Sequence, residues 1–150
     1  MTAKRFYAVA VSSLVLAAAT PAFANTGACP AMDATKATAL FDRWAKALPG
    51  HNADLVLAHY APQHSFKSYS QDAALTDRTA IRDYWSDFVD LTPRATLKQS
   101  DARIDCETVV KSGVKEIVAG PETVMANFTM EFQNQDGVWL ITRHEMNTAD

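Results

Sequence analysis

One histidine and four polar residues near the C-terminus have the side chains best suited to chemistry. The imidazole of His144 can exchange a proton near neutral pH or hydrogen-bond a ligand. Asn127, Thr129 and Thr142 offer amide and hydroxyl groups that can orient a small molecule. Glu131 would act as a general base if burial beside His144 raised the pKa of its carboxyl. These residue types predict proton transfer or ligand binding at a small polar site.

A β-hairpin is predicted to bring these residues together. Residues 122–133 alternate between apolar and polar side chains, which is the period of a strand. Residues 134–137 end in Asp-Gly, which accepts the positive φ of a tight turn, so we expect a four-residue loop and a return strand over 138–146. The predicted pairs are Asn127/His144 and Thr129/Thr142 on a polar face, and Phe132/Trp139, Met130/Ile141 and Phe128/Arg143 on an apolar face. A one-residue slip would exchange the two faces.

Each candidate also has a structural interpretation. His144 could be satisfied inside the sheet, and lone polar residues on a strand often form only its solvated face. Tyr84 could direct its phenol into a cavity as a proton donor, or it could be a core aromatic with its hydroxyl at the edge. Trp85 is expected in the core or in a pocket wall. The candidate catalytic residues are therefore His144 and Tyr84, and the candidate pocket residues are Asn127, Thr129, Glu131, Thr142 and Trp85.

Three helices are predicted before the strands. The first runs over Asp33–Leu48, where apolar residues recur at helical spacing. Asn52 can cap a short second helix that ends before Pro62. The third begins at Asp77, repeats the apolar spacing and ends before Pro93.

Four strands follow the helices, over residues 95–104, 108–118, 122–133 and 138–147, and His64–Tyr69 is a short fifth candidate. Helices followed by a run of antiparallel strands predict an α+β domain with the helices packed on one side of a curved antiparallel sheet. Such a domain can leave a conical cavity between helices and sheet, which is a usual place for a small-molecule site.

The N-terminus has the pattern of a secretory signal peptide. Lys4 and Arg5 precede an apolar segment, and residues 22–24 form a small-x-small cleavage site. We therefore expect a signal peptide over residues 1–24, cleavage after Ala24, and a single mature domain over 25–150 in the periplasm or outside the cell. The apolar segment is short for a membrane span, so we expect no membrane association after cleavage.

Charge and cysteine content narrow the function further. The signal peptide takes two of the 14 basic residues and none of the 17 acidic ones, so the mature net charge is about −5 with His neutral. A negative protein is a poor partner for nucleic acid. Cys29 and Cys106 predict a disulfide in an oxidising compartment. No HxH, HExxH or CxxC spacing occurs, so we expect no metal site and no cofactor.

Four segments carry a resemblance to a known superfamily. They are residues 39–44 (ALFDRW), 80–88 (AIRDYWSDF), 126–129 (ANFT) and 137–144 (GVWLITRH). In order and spacing they resemble the nuclear transport factor 2-like superfamily, including its SnoaL-like group. The likeness is strongest to secreted bacterial relatives of the association domain of calcium/calmodulin-dependent protein kinase II. The resemblance implies a cone-shaped fold with a small-molecule pocket.

The same group includes the iota-class carbonic anhydrases, whose last strand carries two adjacent His followed by two Ser. The matching stretch here is His144 to Asn147, which keeps one His and has neither Ser. This departure argues against carbonic anhydrase activity. We expect a secreted pocket protein that forms a homodimer or higher homo-oligomer and binds an unknown small molecule. The alternative is a small enzyme that transfers protons inside the cone. We leave open whether the chain is an enzyme.

Overall fold

The computed structural model describes Cys29 and residues 31–149. Its helices are α1 (Ala34–Ala47), α2 (Ala53–Leu57) and α3 (Arg78–Val89), with a single 3-10 turn over Leu48–Gly50. The cap predicted at Asn52 forms, and Asp33 and Asp77, predicted as the first residues of their helices, are caps as well. Each side chain accepts a hydrogen bond from a backbone N–H of the first turn.

Five strands form one sheet. They are β1 (Tyr60–Lys67), β2 (Arg94–Ile104), β3 (Thr108–Ala119), β4 (Glu122–Gln135) and β5 (Val138–Thr148), in the order β1-β5-β4-β3-β2. Strands β2 to β5 form an antiparallel meander. The predicted α+β class is confirmed.

Strand β1 differs from expectation in position and direction. It begins at Tyr60, where the sequence predicted helix, and it pairs with β5 in parallel. The parallel pairing is possible because α3 and strands β2 to β4 lie between β1 and β5 in the chain. Together they form the long connection that parallel strands need. Pro62 is tolerated because β1 is an edge strand, and its register with β5 shifts between Tyr60 and Ser65.

The hairpin of β4 and β5 has a different register from the one predicted. Its turn contains only two residues, Asp136 and Gly137, both with positive φ. This shorter loop shifts the pairing by two residues, which alone would keep every side chain on its expected face. A bulge at Thr142 then adds one residue to β5 and moves His144 to the apolar face, opposite Met130. All five predicted side-chain pairs are therefore wrong.

Helices α1 and α3 cover the apolar face of the sheet, which we call the inner face. The core combines Phe41 and Trp44 of α1, Ile81 and Trp85 of α3, and Phe128 of β4 with other buried residues. The inner residues of β4 and β5, including Met130 and Ile141, have almost no exposed surface. They are not available as a self-association surface, because the helices of the same chain cover them.

A disulfide joins Cys29 to Cys106, in the turn between β2 and β3, with the two Cα atoms 4.7 Å apart. The bond links the segment before α1 to the β2–β3 turn, at the side of the sheet opposite β1. The predicted signal peptide lies outside the described residues. Within the described part of the chain, no helix has the length and apolar character needed to cross a bilayer.

Candidate functional site

His144 lies at the centre of a buried polar cluster on the inner face. Its Nδ1 atom is 2.7 Å from the hydroxyl oxygen of Tyr60, and its Nε2 atom is 2.9 Å from Nζ of Lys115. His144 and Lys115 have no exposed surface, and Tyr60 has almost none. We call Tyr60, His144 and Lys115 the interior triad.

Three strands position the triad. Tyr60 starts β1, His144 is on β5, and Lys115 is on β3, with β4 lying between β3 and β5. Lys115 must therefore extend across β4 to reach the imidazole. Its direct neighbour on β4 is Ala126, whose methyl side chain is the smallest on the inner face of that strand.

Aromatic rings enclose the amine of Lys115. Nζ lies 4.5 Å from the ring centroid of Trp44, 5.1 Å from that of Phe128 and 5.7 Å from that of Phe41. At these distances the rings would attract an ammonium, which opposes in part the effect of burial on the charge of Lys115. The ring of Trp44 also meets His144 edge-on, with centroids 4.9 Å apart. The amine therefore has aromatic neighbours and a single polar one.

Burial favours the neutral forms of all three groups. It lowers the pKa of Lys115 well below 10.5, and together with the charge of Lys115 it lowers the pKa of His144 well below 6.5. Burial likewise raises the pKa of Tyr60 well above 10.0. No Asp or Glu is among the buried residues of the described chain, so no carboxylate there balances a charge on Lys115.

The triad has two self-consistent arrangements of its protons. A neutral imidazole has one N–H and one lone pair. In the first arrangement Tyr60 donates to Nδ1, and the Nε2–H of His144 donates to the amine. In the second, the amine donates to Nε2, the Nδ1–H donates to Tyr60, and the Tyr60 proton is free for another acceptor. Conversion of one arrangement into the other requires a proton to enter at one end of the triad and another to leave at the other end, which is the behaviour of a short proton relay.

Two indole N–H groups beside the triad form no well-aligned hydrogen bond with any described residue, although that of Trp44 is near enough to the Tyr60 hydroxyl to oppose part of the rise in its pKa. They belong to Trp44 and Trp85, both fully buried. The Trp85 ring stacks 6.3 Å from that of His144 and lies 6.2 Å from that of Tyr60. An indole nitrogen can only donate, so both groups are donors. The third buried atom without a partner in the described chain is His64 Nε2, an acceptor, because Nδ1 of that ring donates to the Ala61 carbonyl. Unpaired donors near the triad therefore outnumber unpaired acceptors.

Four predicted pocket residues lie on the outer face of the sheet, away from His144. Asn127 is exposed and pairs with Asn147, and Thr129 pairs with Glu145. Thr142 directs its hydroxyl to the Glu131 carboxylate, 3.3 Å away. The bulge in β5 separates these residues from His144, so they do not share a site with it.

Tyr84 and Trp85 are neighbours on α3 but have different surroundings. The hydroxyl of Tyr84 donates to Ser68 Oγ at 2.9 Å, and burial raises its pKa to about 12. Ser68, and not His144, is thus its partner. Trp85 reaches the triad, as described above. Trp85 and His144 are the two predicted site residues that the fold brings together.

Sequence reasoning missed Tyr60 and Lys115. A signal for Lys115 was present, since alternation along β3 places it on the same face as Val109 and Ile117. Lysine is rarely fully buried without a charged partner, so its place on an apolar face marks an unusual site. Tyr60 had no comparable signal, because its segment reads as the end of a helix.

The remaining histidines do not extend the site into a metal centre. His64 contacts the carbonyl oxygen of Ala61 through Nδ1 at 2.7 Å. Among the residues that the structure describes, no three His, Cys, Asp or Glu side chains are grouped so that they could hold a metal ion.

The chain belongs to the SnoaL-like family, because the model of the SnoaL-like domain matches residues 37–146. This match spans α1 to β5 and includes all three triad residues. The sequence has no match among curated proteins.

Solved structures agree with this assignment. A protein from Xanthomonas campestris, provisionally named a calcium/calmodulin-dependent protein kinase II association domain, is 28% identical, with a TM-score of 0.74 over 81% of this chain and 92% of that one. A nuclear transport factor 2-like protein of unknown function from Pseudomonas putida KT2440 is 14% identical, with a TM-score of 0.66 over 75% of this chain and 84% of that one. A protein from Streptomyces avermitilis, provisionally named a dehydratase of the same superfamily, is 10% identical, with a TM-score of 0.69 over 77% and 95%. The last two show the fold alone.

Proposed function

We propose that this chain is a secreted SnoaL-like protein that holds one small organic ligand at the interior triad. The ligand is a molecule that offers oxygen acceptors, of which a short carboxylate is the simplest example. One observation carries the proposal: the triad and its two indoles contain more donors than acceptors, with no buried carboxylate in the described chain.

The surplus of donors follows from the chemistry of each group. Among the described residues the indole N–H of Trp85 has no partner, and that of Trp44 has only the Tyr60 hydroxyl near it, without a well-formed hydrogen bond. Lys115 has at least two N–H bonds, and its only hydrogen-bond partner is His144. A buried unpaired donor costs about 1–3 kcal/mol, so oxygen atoms placed among these groups would remove an existing cost.

Charge favours a ligand that binds together with a proton. Burial keeps Lys115 and His144 neutral in the empty site. A carboxylate that enters with one proton forms a neutral pair with the ammonium of Lys115, which avoids burying a net charge. We therefore expect affinity to increase about tenfold for each unit by which pH is lowered, over the range in which the free acid is ionised and Lys115 is neutral.

Tryptophan fluorescence tests the proposal, because Trp44 and Trp85 line the site. Acetate and propionate are titrated into the mature protein between pH 6 and 8, with Lys115→Met as the test variant. The matched control is Lys111→Met, which removes another buried lysine from the same face of β3, where Thr38 and Ser100 accept its hydrogen bonds. Saturable quenching that Lys115→Met abolishes and Lys111→Met retains supports the proposal, and no response to either acid contradicts it.

The relay geometry favours one second candidate, a small enzyme that transfers protons. Tyr60, His144 and Lys115 form a continuous hydrogen-bonded chain of three titratable groups. Such a chain can supply a proton at one end while accepting one at the other. Stopped-flow carbon dioxide hydration tests the simplest version, and a rate no higher than that of buffer removes it.

Secretion is proposed from the sequence of residues 1–24. The disulfide between Cys29 and Cys106 is consistent with an oxidising compartment. Expression of the full chain in a bacterium, followed by fractionation, should place a protein that begins at Asn25 in the periplasm. N-terminal sequencing of the recovered protein measures this directly, and a cytoplasmic protein of full mass would contradict it.

Self-association is proposed through the outer face of the sheet. That face carries Val110 and Val114, both half-buried, with the exposed Val118 and Met125 beside them. The name of the Xanthomonas relative refers to an association domain, which supports the same idea. Light scattering at micromolar concentration should give a dimer or larger oligomer that Val114→Lys dissociates. A wild-type monomer would contradict this proposal without affecting the ligand site.

A further inference from the structure

We propose that Lys115 is an amine nucleophile that forms an imine with a short-chain aldehyde or ketone, with His144 and Tyr60 moving the protons. This inference rests on the proposed function, since it uses the same site, and it specifies the substrate class as carbonyl compounds. The geometric basis is an amine with no exposed surface, one imidazole nitrogen 2.9 Å away and aromatic rings on its remaining sides.

An amine attacks a carbonyl carbon only when it is neutral and its lone pair is free. In an apolar enclosure with no carboxylate among the buried described residues, the neutral form of Lys115 is favoured. The lone pair is free in the second proton arrangement, in which the amine donates to His144 Nε2. In that arrangement the hydroxyl proton of Tyr60 is also free.

The reaction is balanced with the groups present. The Nζ lone pair forms a C–N bond, the carbonyl π electrons move to oxygen, and the proton released from nitrogen passes to His144 Nε2. As His144 takes that proton, its Nδ1 proton passes to Tyr60 and the Tyr60 proton passes to the alkoxide, which gives a neutral carbinolamine. Tyr60 then protonates the carbinolamine hydroxyl, which leaves as water with the C–O electron pair as the nitrogen lone pair forms the C=N bond. The released water carries the second N–H proton back to Tyr60, so that two protons leave nitrogen and two reach oxygen. One amine and one carbonyl become one imine and one water, and no oxidant or reductant is required.

The indole groups of Trp44 and Trp85 are the proposed hydrogen-bond donors to the substrate oxygen. An oxygen that becomes an alkoxide needs hydrogen-bond donors. The indole ring of Trp44 lies 4.5 Å from Nζ of Lys115, and that of Trp85 stacks on His144 with no described partner for its N–H. Their rings, with those of Phe41 and Phe128, would contact the carbon atoms of the substrate. Because Lys115 and His144 have no exposed surface, a substrate must be small, and the surrounding side chains must move to admit it.

Trapping with 2,4-pentanedione tests the proposal. This small diketone converts a neutral amine into a stable enaminone that absorbs ultraviolet light, and the protein is the mature wild-type chain near pH 7. We expect one label per chain, located on Lys115 by peptide mapping. Each unit by which the pKa of an amine is lowered increases its neutral fraction about tenfold, so labelling should exceed that of exposed lysines by at least that factor.

Three variants test which residues are responsible for labelling by 2,4-pentanedione. Lys115→Met should abolish the label, whereas Lys111→Met should keep it. Tyr60→Phe should slow labelling about tenfold or more, because it removes a proton donor but not the amine. If Lys115 stays unlabelled while acetate still quenches the tryptophans, imine formation is refuted and ligand binding stands. If neither occurs, both proposals fail, and equal labelling of all lysines also refutes the imine.

Discussion

The two faces of the β-sheet both carry charged and polar side chains, but they place them in opposite environments. On the outer face Glu131 lies 3.6 Å from Arg143, and both are partly exposed. On the inner face Lys115 and His144 have no exposed surface and no carboxylate within salt-bridge distance. Similar residue types are therefore solvated and charged on one face, and buried and neutral on the other.

This difference shows that the chemistry of a polar residue here depends on its face more than on its type. The carboxylate of Glu131 lies near the guanidinium of Arg143 and remains partly exposed to water. The amine of Lys115 has a lowered pKa, because burial removes the water that would stabilise its charge. The bulge at Thr142 places His144 on the buried inner face, beside Tyr60 and Lys115, and the candidate site depends on that placement.

Truncation of neighbouring residues on β4 should give the largest contrast between the faces. Phe128→Ala removes a buried ring that contacts Phe41 and Lys115, and it should lower the free energy of unfolding by about 3–5 kcal/mol. Thr129→Ala, one residue further along on the outer face, should change it by no more than about 0.5 kcal/mol. Urea denaturation measures both values, and similar losses in the two variants would contradict the assignment of faces.

The pH dependence of stability should change when the buried amine is removed. Between the lowered pKa of the folded protein and pH 10.5, an unfolded Lys115 binds a proton that the folded one does not, so stability increases with pH in that window. Each pH unit in that window contributes about 1.4 kcal/mol, and Lys115→Met should abolish this contribution. Urea denaturation at pH 7, 8 and 9 gives the slope. An unchanged slope in Lys115→Met would mean that the amine is charged in the folded protein.

Tyr84 should produce a slope of the opposite sign at higher pH. Between pH 10 and about 12 an unfolded tyrosine loses a proton that the folded Tyr84 retains, so stability falls as pH rises. Tyr84→Phe should remove that part of the decline. At pH 7 the same variant should lose about 0.5–1.5 kcal/mol with its hydrogen bond to Ser68. Spectrophotometric titration of the phenols provides an independent check.

The smallest effect is expected from the outer ion pairs. Glu131→Gln weakens the contact with Arg143, and because the pair is partly exposed the loss should be under about 1 kcal/mol and should shrink at high salt. Glu116→Gln, which breaks the pair with Lys98 on the same face, is a matched control. A salt-independent loss of several kcal/mol would indicate that something covers this face in solution.

Most of the fold could be predicted from local patterns. The three caps at Asp33, Asn52 and Asp77 and the strands after Pro93 follow from preferences within a few residues of each position. Strand β1 could not be placed in the same way. Residues around Tyr60 suit the end of a helix locally, and their pairing with β5 outweighs that preference.

The candidate site was only partly predictable. His144 and Trp85 were identified, and the fold brings them together. Asn127, Thr129, Glu131 and Thr142 were placed beside His144 on an assumed regular register. A single bulge reverses the face of every residue beyond it, and short-range alternation does not reveal where a bulge occurs.

The amino-acid sequence by itself determined the class of fold, the positions of the strands after Pro93 and the presence of a titratable histidine in the last one. These properties depend on side-chain size, polarity and turn chemistry over a few residues. Only the tertiary structure decided which partners that histidine has, because Tyr60 lies 84 residues away along the chain and Lys115 lies 29. Their meeting depends on the parallel pairing of β1, the bulge in β5 and the burial supplied by α1 and α3. The acid–base character of the site comes from that burial, which no short segment can supply by itself.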